Sequence, residues 1–302
     1  MARLGENRYG KSRVRLSRIV RHADGHEFNE WTVHVLLYGD FETSYTQADN
    51  SNILPTDTMK NTVYFVARQS KASTIEEFAM ELGDYFLKNN LQVSKASVEI
   101  EEKPWEHMIV DGAPEPATFK LCGPELHTVA VVREKIGAWS ITSGVDGLVI
   151  LKTSKSGFTG YIQDKLTTLK PATDRILGTR ATVRWDFNKD APDEAGARAQ
   201  LMAAAFRKMQ GKAHDFAGVR ARIVAALLKE FAGHDSKSVQ HTLFAMGEAA
   251  LEAAPEIARI HLAMPNLHHL LADLSAFGLD NPNHIFVPID EPHGTIEATI
   301  ER

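Results

Sequence analysis

The stretch Trp31-Thr32-Val33-His34-Val35-Leu36-Leu37 decides the fold of this chain, because apolar side chains recur along it at every second position. One side of an extended segment would carry four of them, namely Trp31, Val33, Val35 and Leu37. The opposite side would carry Thr32 and His34. This two-residue period predicts a strand with one buried face and one face towards water.

Two further segments have the same period and extend the prediction from one strand to a sheet. One segment contains Val63, Phe65 and Ala67. The other contains Ala96, Val98 and Ile100, and we expect its intervening residues to face water: Lys95, Ser97 and Glu99. A half-buried strand of this kind is typical of an antiparallel sheet with one solvated face.

Helical patterns accompany these strands. Ser73-Thr74-Ile75-Glu76 has the spacing of a capping box. Apolar residues then recur every three to four positions, as expected of an amphipathic helix: Ile75, Phe78, Leu82 and Phe86. The first part of the chain therefore predicts a sheet with a helix packed on one face.

The second half repeats this order of elements. We predict strands near Trp139 to Ile150, Ala181 to Phe187, Ile257 to Met264 and Thr295 to Ile300. Helices are predicted from about Glu194 to Phe231 and from about Ser238 to Glu252. The fold class is therefore α+β, with one unit over residues 1–134, a second over residues 135–302, and a boundary near Glu134.

Composition excludes several classes of function. The chain has 302 residues, with 34 Lys and Arg against 39 Asp and Glu, and a net charge of -5 does not predict nucleic-acid binding. The single cysteine, Cys122, predicts a reducing compartment. No apolar run reaches the ~20 residues of a membrane span. With neither a signal peptide nor a peroxisomal Ser-Lys-Leu ending, the sequence predicts a cytoplasmic location.

Polar residues are concentrated in Pro55-Thr56-Asp57-Thr58-Met59-Lys60-Asn61-Thr62, between two strand-like segments where packing does not require them. Together with Asp49-Asn50-Ser51, the segment from Thr167 to Leu177, and Pro265-Asn266-Leu267-His268-His269, this stretch resembles the urate oxidase (uricase) family. The resemblance extends over most of the chain and is weakest from about Asn188 to Phe216.

The resemblance implies two tandem tunnelling-fold (T-fold) domains in each chain. It also implies a homotetramer that encloses a tunnel, with active sites at the subunit interfaces. The activity it implies is the oxidation of urate by dioxygen and water to 5-hydroxyisourate and hydrogen peroxide, with no metal or organic cofactor. The partners are then urate and dioxygen, with no nucleic acid and no membrane.

Three residues match the family's Lys–Thr–His proton relay: Lys11, Thr56 and His268. Taken alone, Lys11 in Tyr9-Gly10-Lys11 is typical of an exposed strand start, and Thr56-Asp57 is typical of a turn or helix cap. A His-His pair more often packs or forms surface hydrogen bonds. The resemblance implies instead that Thr56 and Asp57 also contact the substrate.

A relay of this kind suits the reaction, because urate must lose a proton before its electrons pass to dioxygen. A lysine that is hydrogen-bonded to a threonine hydroxyl prepares that hydroxyl to pass a proton, and a nearby histidine receives or returns one near neutral pH. The substrate anion is the electron donor, so the protein contributes positioning, charge and proton transfer.

The resemblance also implies a substrate clamp built from Arg175 and Gln240. A guanidinium offers parallel donors to a planar anion, and an amide offers both a donor and an acceptor. Four further residues match the family's binding site. Phe158 would stack on the purine and Val239 would contact it through its backbone. Asn266, with Thr56, would hold dioxygen or water, and Ile296 would form an apolar wall. Without the resemblance, Phe158 and Val239 would be core residues and Gln240 a surface residue.

Two residues depart from the family pattern, since Leu267 and Gln163 stand where many uricases carry lysine and arginine.

A zinc-dependent T-fold enzyme that acts on pterins or guanine nucleotides is a first alternative to a urate oxidase, although Cys122 alone matches such a site poorly. A metal site built from His261, His268 and His269 is a related one. A non-catalytic purine-binding protein with the same fold remains open as well.

Overall fold

The computed structural model describes residues 2–137, 139–187 and 215–302. Their contacts group them into two units. Unit 1 contains the described residues of Met1–Val145 and Asp186–Gly218, and unit 2 those of Asp146–Trp185 and Val219–Arg302. The assignment of residues 1–134 and 135–302 to one T-fold domain each stays a prediction. Most of the helical region predicted from about Glu194 to Phe231 lies outside the described residues.

Unit 1 is built on an antiparallel sheet. Its neighbouring strands are, in order, β1 (Tyr9–Arg21), β2 (His26–Gly39), β3 (Val93–Glu102) and β6 (Leu126–Glu134). β4 (Trp105–Val110) and β5 (Ala113–Leu121) form a separate two-stranded sheet. β7 (Trp139–Lys152) is the neighbour of β6; it confirms the strand predicted near Trp139 to Ile150, and its residues from Asp146 onwards are counted in unit 2.

The sequence pattern that predicted β2 is confirmed by burial. Trp31, Val33, Val35 and Leu37 are all buried, and Trp31 stacks on Phe78 of a covering helix with 4.7 Å between ring centroids. In β3 the apolar residues are buried as expected. Ser97, however, was predicted to face water and is only 8% exposed, because it lies between Leu36 and Val132 in the centre of the sheet.

Helices pack on this sheet, one against β1 and another against β3 and β6. α1 spans Glu42–Thr46, α2 spans Thr56–Gln69 and α3 spans Ile75–Asn89. α3 begins with a capping box between Thr74 and Glu77, one residue later than the predicted Ser73–Glu76 spacing. The predicted apolar face of α3 is buried, with Ile75, Phe78, Leu82 and Phe86 in the core of unit 1.

The prediction of a strand through Val63, Phe65 and Ala67 is wrong, because these residues belong to α2. The buried residues of α2 are Met59, Val63, Val66 and Ala67, which recur at the spacing of a helix. Phe65 is 49% exposed. The stretch from Thr56 to Thr62 is therefore the first half of a helix, where the sequence had indicated a connection between strands.

Unit 2 contains a second group of antiparallel strands. β10 (Asn266–Leu271) pairs with both β8 (Leu177–Asp186) and β11 (Phe286–Ile289). β9 (Arg259–Ala263) pairs with β12 (Glu297–Glu301). The strands predicted near residues 181–187, 257–264 and 295–300 are thereby confirmed, with ends that differ by a few residues.

Two helices belong to this half of the chain, α4 (Phe216–Gly233) and α5 (Val239–Ala253), and α5 confirms the helix predicted from about Ser238 to Glu252. α5 packs on β9 and β12. A Cβ on Gly247 would lie 2.6 Å from Cδ1 of Ile300, so a glycine there permits the close packing of α5 on β12.

Antiparallel sheets with helices on them confirm the α+β class in both units. Within the described ranges, no helix has the combination of length and apolar character that crossing a membrane requires.

Candidate active site

Lys11 lies at the start of β1, opposite Val35 of β2. The residue before it is Gly10, where a Cβ would lie 1.8 Å from the carbonyl oxygen of Val35, so only glycine allows this approach of the two strands. The strand register shifts between Lys11 and Val14, and Arg13 has a positive φ of 58°. A bulge therefore follows Lys11 directly and fixes the direction of its side chain relative to the rest of β1.

Thr56 and Asp57 form the first turn of α2, and both are exposed. The loop that leads into this turn is fastened to β1, because the phenol of Tyr9 forms hydrogen bonds with the backbone of Leu54. α2 itself packs on β1. Tyr9, close to Lys11 on β1, therefore also holds Leu54 in the loop before Thr56.

The carboxylate of Asp57 is held within its own helix. It accepts hydrogen bonds from Nζ of Lys60 at 2.5 Å and from Nδ2 of Asn61 at 3.0 Å. The hydrogen bond from Lys60 lowers the pKa of Asp57, and the positive charge of Lys11 lowers it a little further. The charge of Lys11 therefore acts at the start of α2, where Thr56 lies.

In unit 2, Phe158 and Arg175 come together. Phe158 exchanges two backbone hydrogen bonds with Ala172, at 2.7 and 3.0 Å, and this pairing brings the two segments side by side. The guanidinium carbon of Arg175 lies 5.3 Å from the centre of the Phe158 ring. Phe158 and Arg175 are therefore neighbours in unit 2.

The guanidinium of Arg175 is placed to receive an anion. Burial lowers the pKa of Arg175, and its buried Nε has no hydrogen-bond partner. A half-buried cation with an unused donor is costly unless a partner arrives, so the group favours a planar anionic ligand.

Val239 and Gln240 are the first two residues of α5, and Val239 is buried while Gln240 is exposed. Ser238 caps this helix, since its side chain accepts a hydrogen bond from the amide of His241 at 3.1 Å. The amide of Gly157 donates to the carbonyl of Ser236 at 2.8 Å. This hydrogen bond connects the segment that contains Phe158 to the segment that precedes Gln240.

Asn266 and His268 are on β10, and Ile296 lies just before β12. The side-chain amide nitrogen of Asn266 is 3.3 Å from Nδ1 of His268. If the amide donates, Nδ1 is the acceptor and a neutral His268 carries its proton on Nε2. The backbone amide of Asn266 donates to Gly294 and that of Met264 donates to Ile296, so the two segments lie side by side.

The candidate residues thus fall into two groups. Unit 1 carries Lys11, Thr56 and Asp57. Unit 2 carries the remainder: Phe158, Arg175, Val239, Gln240, Asn266, His268 and Ile296. Three residues that support these groups were given no role of their own from the sequence: Tyr9 and Lys60, which stand in the quoted motifs, and Tyr161, which was missed. The contact of Lys60 with Asp57 was predictable from the sequence, because an Asp and a Lys three positions apart lie on one face of a helix.

The described residues give no support to the metal site suggested for His261, His268 and His269. Among residues 2–137, 139–187 and 215–302, no three His, Cys, Asp or Glu side chains lie together in a way that could hold a metal ion. Nδ1 of His261 is instead hydrogen-bonded to the hydroxyl of Thr299 on β12.

Comparison with known proteins gives a consistent result. The family model described as Uricase matches residues 7–132 and 141–297. The chain is 39% identical to Uricase-2 of Phaseolus vulgaris over 304 residues, which covers 98% of this chain and 95% of that protein. It is 38% identical to the uricase of Arthrobacter globiformis, covering 99% of this chain and 90% of that one.

Solved structures give the same picture. The crystal structure of uricase from Arthrobacter globiformis matches with a TM-score of 0.86 at 36% identity, and the match covers 100% of this chain and 96% of that one. A hyperthermostable mutant of the urate oxidase from Bacillus sp. TB-90 matches with a TM-score of 0.79 at 22% identity, which bears on the fold alone. That match covers 98% of this chain and 99% of the other.

Proposed function

The chain belongs to the uricase family and is an oxidoreductase of the urate oxidase type, and we propose that it converts urate, dioxygen and water to 5-hydroxyisourate and hydrogen peroxide. In this reaction the urate anion loses two electrons to dioxygen, which is reduced to peroxide, and water supplies the new hydroxyl group. The proposal includes no metal or organic cofactor, because the electron donor is the substrate itself.

One observation carries the proposal: the buried Nε of Arg175 has no partner, and its guanidinium lies 5.3 Å from the ring centre of Phe158. A flat, anionic heterocycle satisfies both groups at once, since its edge accepts hydrogen bonds and its face stacks on the ring. Gln240 would read the same edge with its amide, and Val239 would contribute a backbone group.

The proton relay is assigned to Lys11, Thr56 and His268. Lys11 and Thr56 belong to the same unit, in which the helix that begins at Thr56 packs on the strand of Lys11. The Thr56 hydroxyl would accept a proton from bound urate as it passes its own proton to the ring of His268, while Lys11 holds that hydroxyl in place. The Nε2 side of His268 is not engaged by Asn266, which leaves it for proton exchange with the reacting molecules.

Asn266 and Thr56 would hold dioxygen or the attacking water above the purine plane, and Ile296 would supply an apolar wall. An apolar surrounding strengthens the hydrogen bonds that orient the anion. Neither Leu267 nor Gln163 belongs to the relay or the clamp, so their departure from the family pattern alters local charge without changing the reaction type.

We further propose that the protein is a homotetramer and that each active site forms at a subunit interface, where residues of unit 1 from one subunit meet residues of unit 2 from another. A closed, symmetric assembly repeats this interface identically in every subunit. A cytoplasmic location is part of the same proposal.

The experiment that tests the reaction follows the ultraviolet absorbance of urate in air after protein treated with chelator is added, with peroxide assayed in parallel. Loss of urate with a matching amount of peroxide supports the cofactor-independent reaction. Binding of urate without any loss of absorbance would favour the non-catalytic purine-binding alternative. Loss of activity that returns only when metal is added back would favour the metal-dependent one.

A further inference from the structure

Tyr161 stacks on Phe158, the residue assigned to the purine face. The two ring centroids are 4.8 Å apart and the ring planes differ by 12°, which is an offset parallel arrangement. A ring has two faces, and Tyr161 covers one of them. The guanidinium of Arg175 lies 5.3 Å from the ring centre, and a ligand that stacks on Phe158 must use the face that Tyr161 leaves uncovered.

A turn in the backbone brings the Tyr161 side chain next to Phe158. Gly160 lies between them with a φ of 74°, in the left-handed region that favours glycine. This turn brings the chain back on itself, so that residues three positions apart stack outside any regular helix or strand. Phe158 is fixed separately, by its two backbone hydrogen bonds to Ala172.

The far end of the Tyr161 side chain is anchored as well. Its hydroxyl donates a hydrogen bond to the carbonyl of Leu169 at 2.7 Å. Leu169 follows a turn in which Asp164 accepts a hydrogen bond from the amide of Leu166 at 2.8 Å and Thr167 closes the loop. The Tyr161 ring is therefore held at both ends, and it acts as a fixed support for the Phe158 ring.

We propose that Tyr161 is a positioning residue of the substrate site: by covering one face of Phe158, it sets the plane on which the purine stacks, beside the guanidinium of Arg175. This inference rests on the proposed function, which places a purine against Phe158. Tyr161 does not contact the reacting atoms, and it acts only through the Phe158 ring.

Such a role predicts a particular kinetic result. A Phe158 ring that is free to tilt would bind substrate and transition state less well by the same factor, so KM rises while kcat is kept. We expect Tyr161→Leu to raise KM for urate about three- to tenfold, the range that corresponds to loss of one aromatic pair. Tyr161→Phe keeps the flat ring and should stay within about twofold of the original KM.

The experiment is a double-mutant cycle on the intact enzyme with Tyr161→Leu, Phe158→Leu and the two combined. Measurements are kcat and KM for urate, and the Kd of xanthine by calorimetry as a purine probe independent of turnover. If Tyr161 acts through Phe158, Tyr161→Leu adds nothing once Phe158 is replaced. Tyr161→Met, which fills similar space without a flat ring, replaces Tyr161→Leu if that variant does not fold.

Each outcome is decisive. Unchanged KM and Kd in Tyr161→Leu, equal effects of Tyr161→Phe and Tyr161→Leu, or additive effects in the cycle would overturn the inference. If the unmodified enzyme did not oxidise urate, the proposed function would fail. The inference about Tyr161 would survive that failure only if xanthine binding still showed the non-additive pattern.

Discussion

Tyr9 and Leu54 exchange two hydrogen bonds: the Tyr9 hydroxyl donates to the Leu54 carbonyl at 3.1 Å, and the Leu54 amide donates to the Tyr9 oxygen at 2.8 Å. Tyr9 also packs edge-on against Phe41, with 4.7 Å between ring centroids. Burial raises the pKa of the Tyr9 phenol, so it stays protonated and keeps both its donor and its acceptor role through the neutral range. This pair connects the strand of Lys11 to the loop before Thr56.

We therefore expect Tyr9→Phe to lower both stability and turnover. The free energy of unfolding should fall by about 1–2 kcal/mol, because a partly buried amide and carbonyl lose their partner. Measuring unfolding in urea alongside kcat tests this, with Tyr45→Phe, an exposed tyrosine, as the matched control. A Tyr9→Phe enzyme with unchanged stability and kcat would show that the loop is held by other contacts.

The relay assignment predicts losses in turnover. Lys11→Met and Thr56→Ala should each lower kcat about 100-fold, the lower range for removal of a proton-transfer group, with smaller changes in KM. Because the two residues act as one unit, the double variant should be little worse than either single one. Steady-state kinetics test this, and full turnover in Lys11→Met would remove Lys11 from the relay.

Arg175 should behave differently, because it binds the substrate. Arg175→Ala should raise KM about 10- to 100-fold, which corresponds to losing hydrogen bonds between charged groups. Arg175→Lys keeps the charge without the planar fork and should recover only part of the affinity. If both variants had the same KM as the original enzyme, the anion would bind elsewhere.

Lys60 should control the ionisation of Asp57. The Lys60 hydrogen bond lowers the pKa of Asp57, so Lys60→Met should move that pKa up towards its ordinary value. A depressed carboxyl pKa contributes stability that is present above the unfolded-state value of about 3.9 and is lost as pH falls through the folded-state pKa. The stability difference between Lys60→Met and the original protein should therefore shrink in acid. Carboxyl NMR titration tests the shift, with Lys71→Met as the control, and an unmoved Asp57 pKa would contradict it.

The capping box of α3 should contribute measurably to folding. Thr74→Ala removes the acceptor for the amide of Glu77 and should lower the free energy of unfolding by about 1 kcal/mol. Glu81→Ala, on the exposed side of the same helix, should change it by less than about 0.5 kcal/mol. Urea denaturation of both variants distinguishes a cap effect from a general effect of alanine, and equal values would argue against the cap.

The sequence was most informative where burial follows a simple period. The strand through Trp31 to Leu37 and the helix through Ile75 to Phe86 were both predictable, since each presents one continuous apolar face to the core. α2 was not, because Val63, Phe65 and Ala67 alternate over too short a window. Adding Met59 reveals the four-residue spacing from Met59 to Val63 to Ala67 that marks a helix.

The candidate site could be predicted only in its residue types and motifs. Nothing in the sequence indicates that Tyr161 returns to Phe158, because the stacking depends on a left-handed turn at Gly160 and on a hydrogen bond to Leu169. Nor does the sequence pattern reveal that Nε of Arg175 has no hydrogen-bond partner, since this depends on the groups that surround it in the folded protein. Contacts of this kind arise from tertiary structure and leave no local period.

The division of the candidate residues between unit 1 and unit 2 has a genetic consequence. If each site takes its unit 1 residues from one subunit and its unit 2 residues from another, two inactive alleles can rescue each other. Coexpressed Thr56→Ala and Arg175→Ala chains should recover about a quarter of the original activity, because random assembly in a symmetric oligomer pairs the two intact halves in about one interface of four. Mixed expression of two variants damaged in the same unit should give no such complementation.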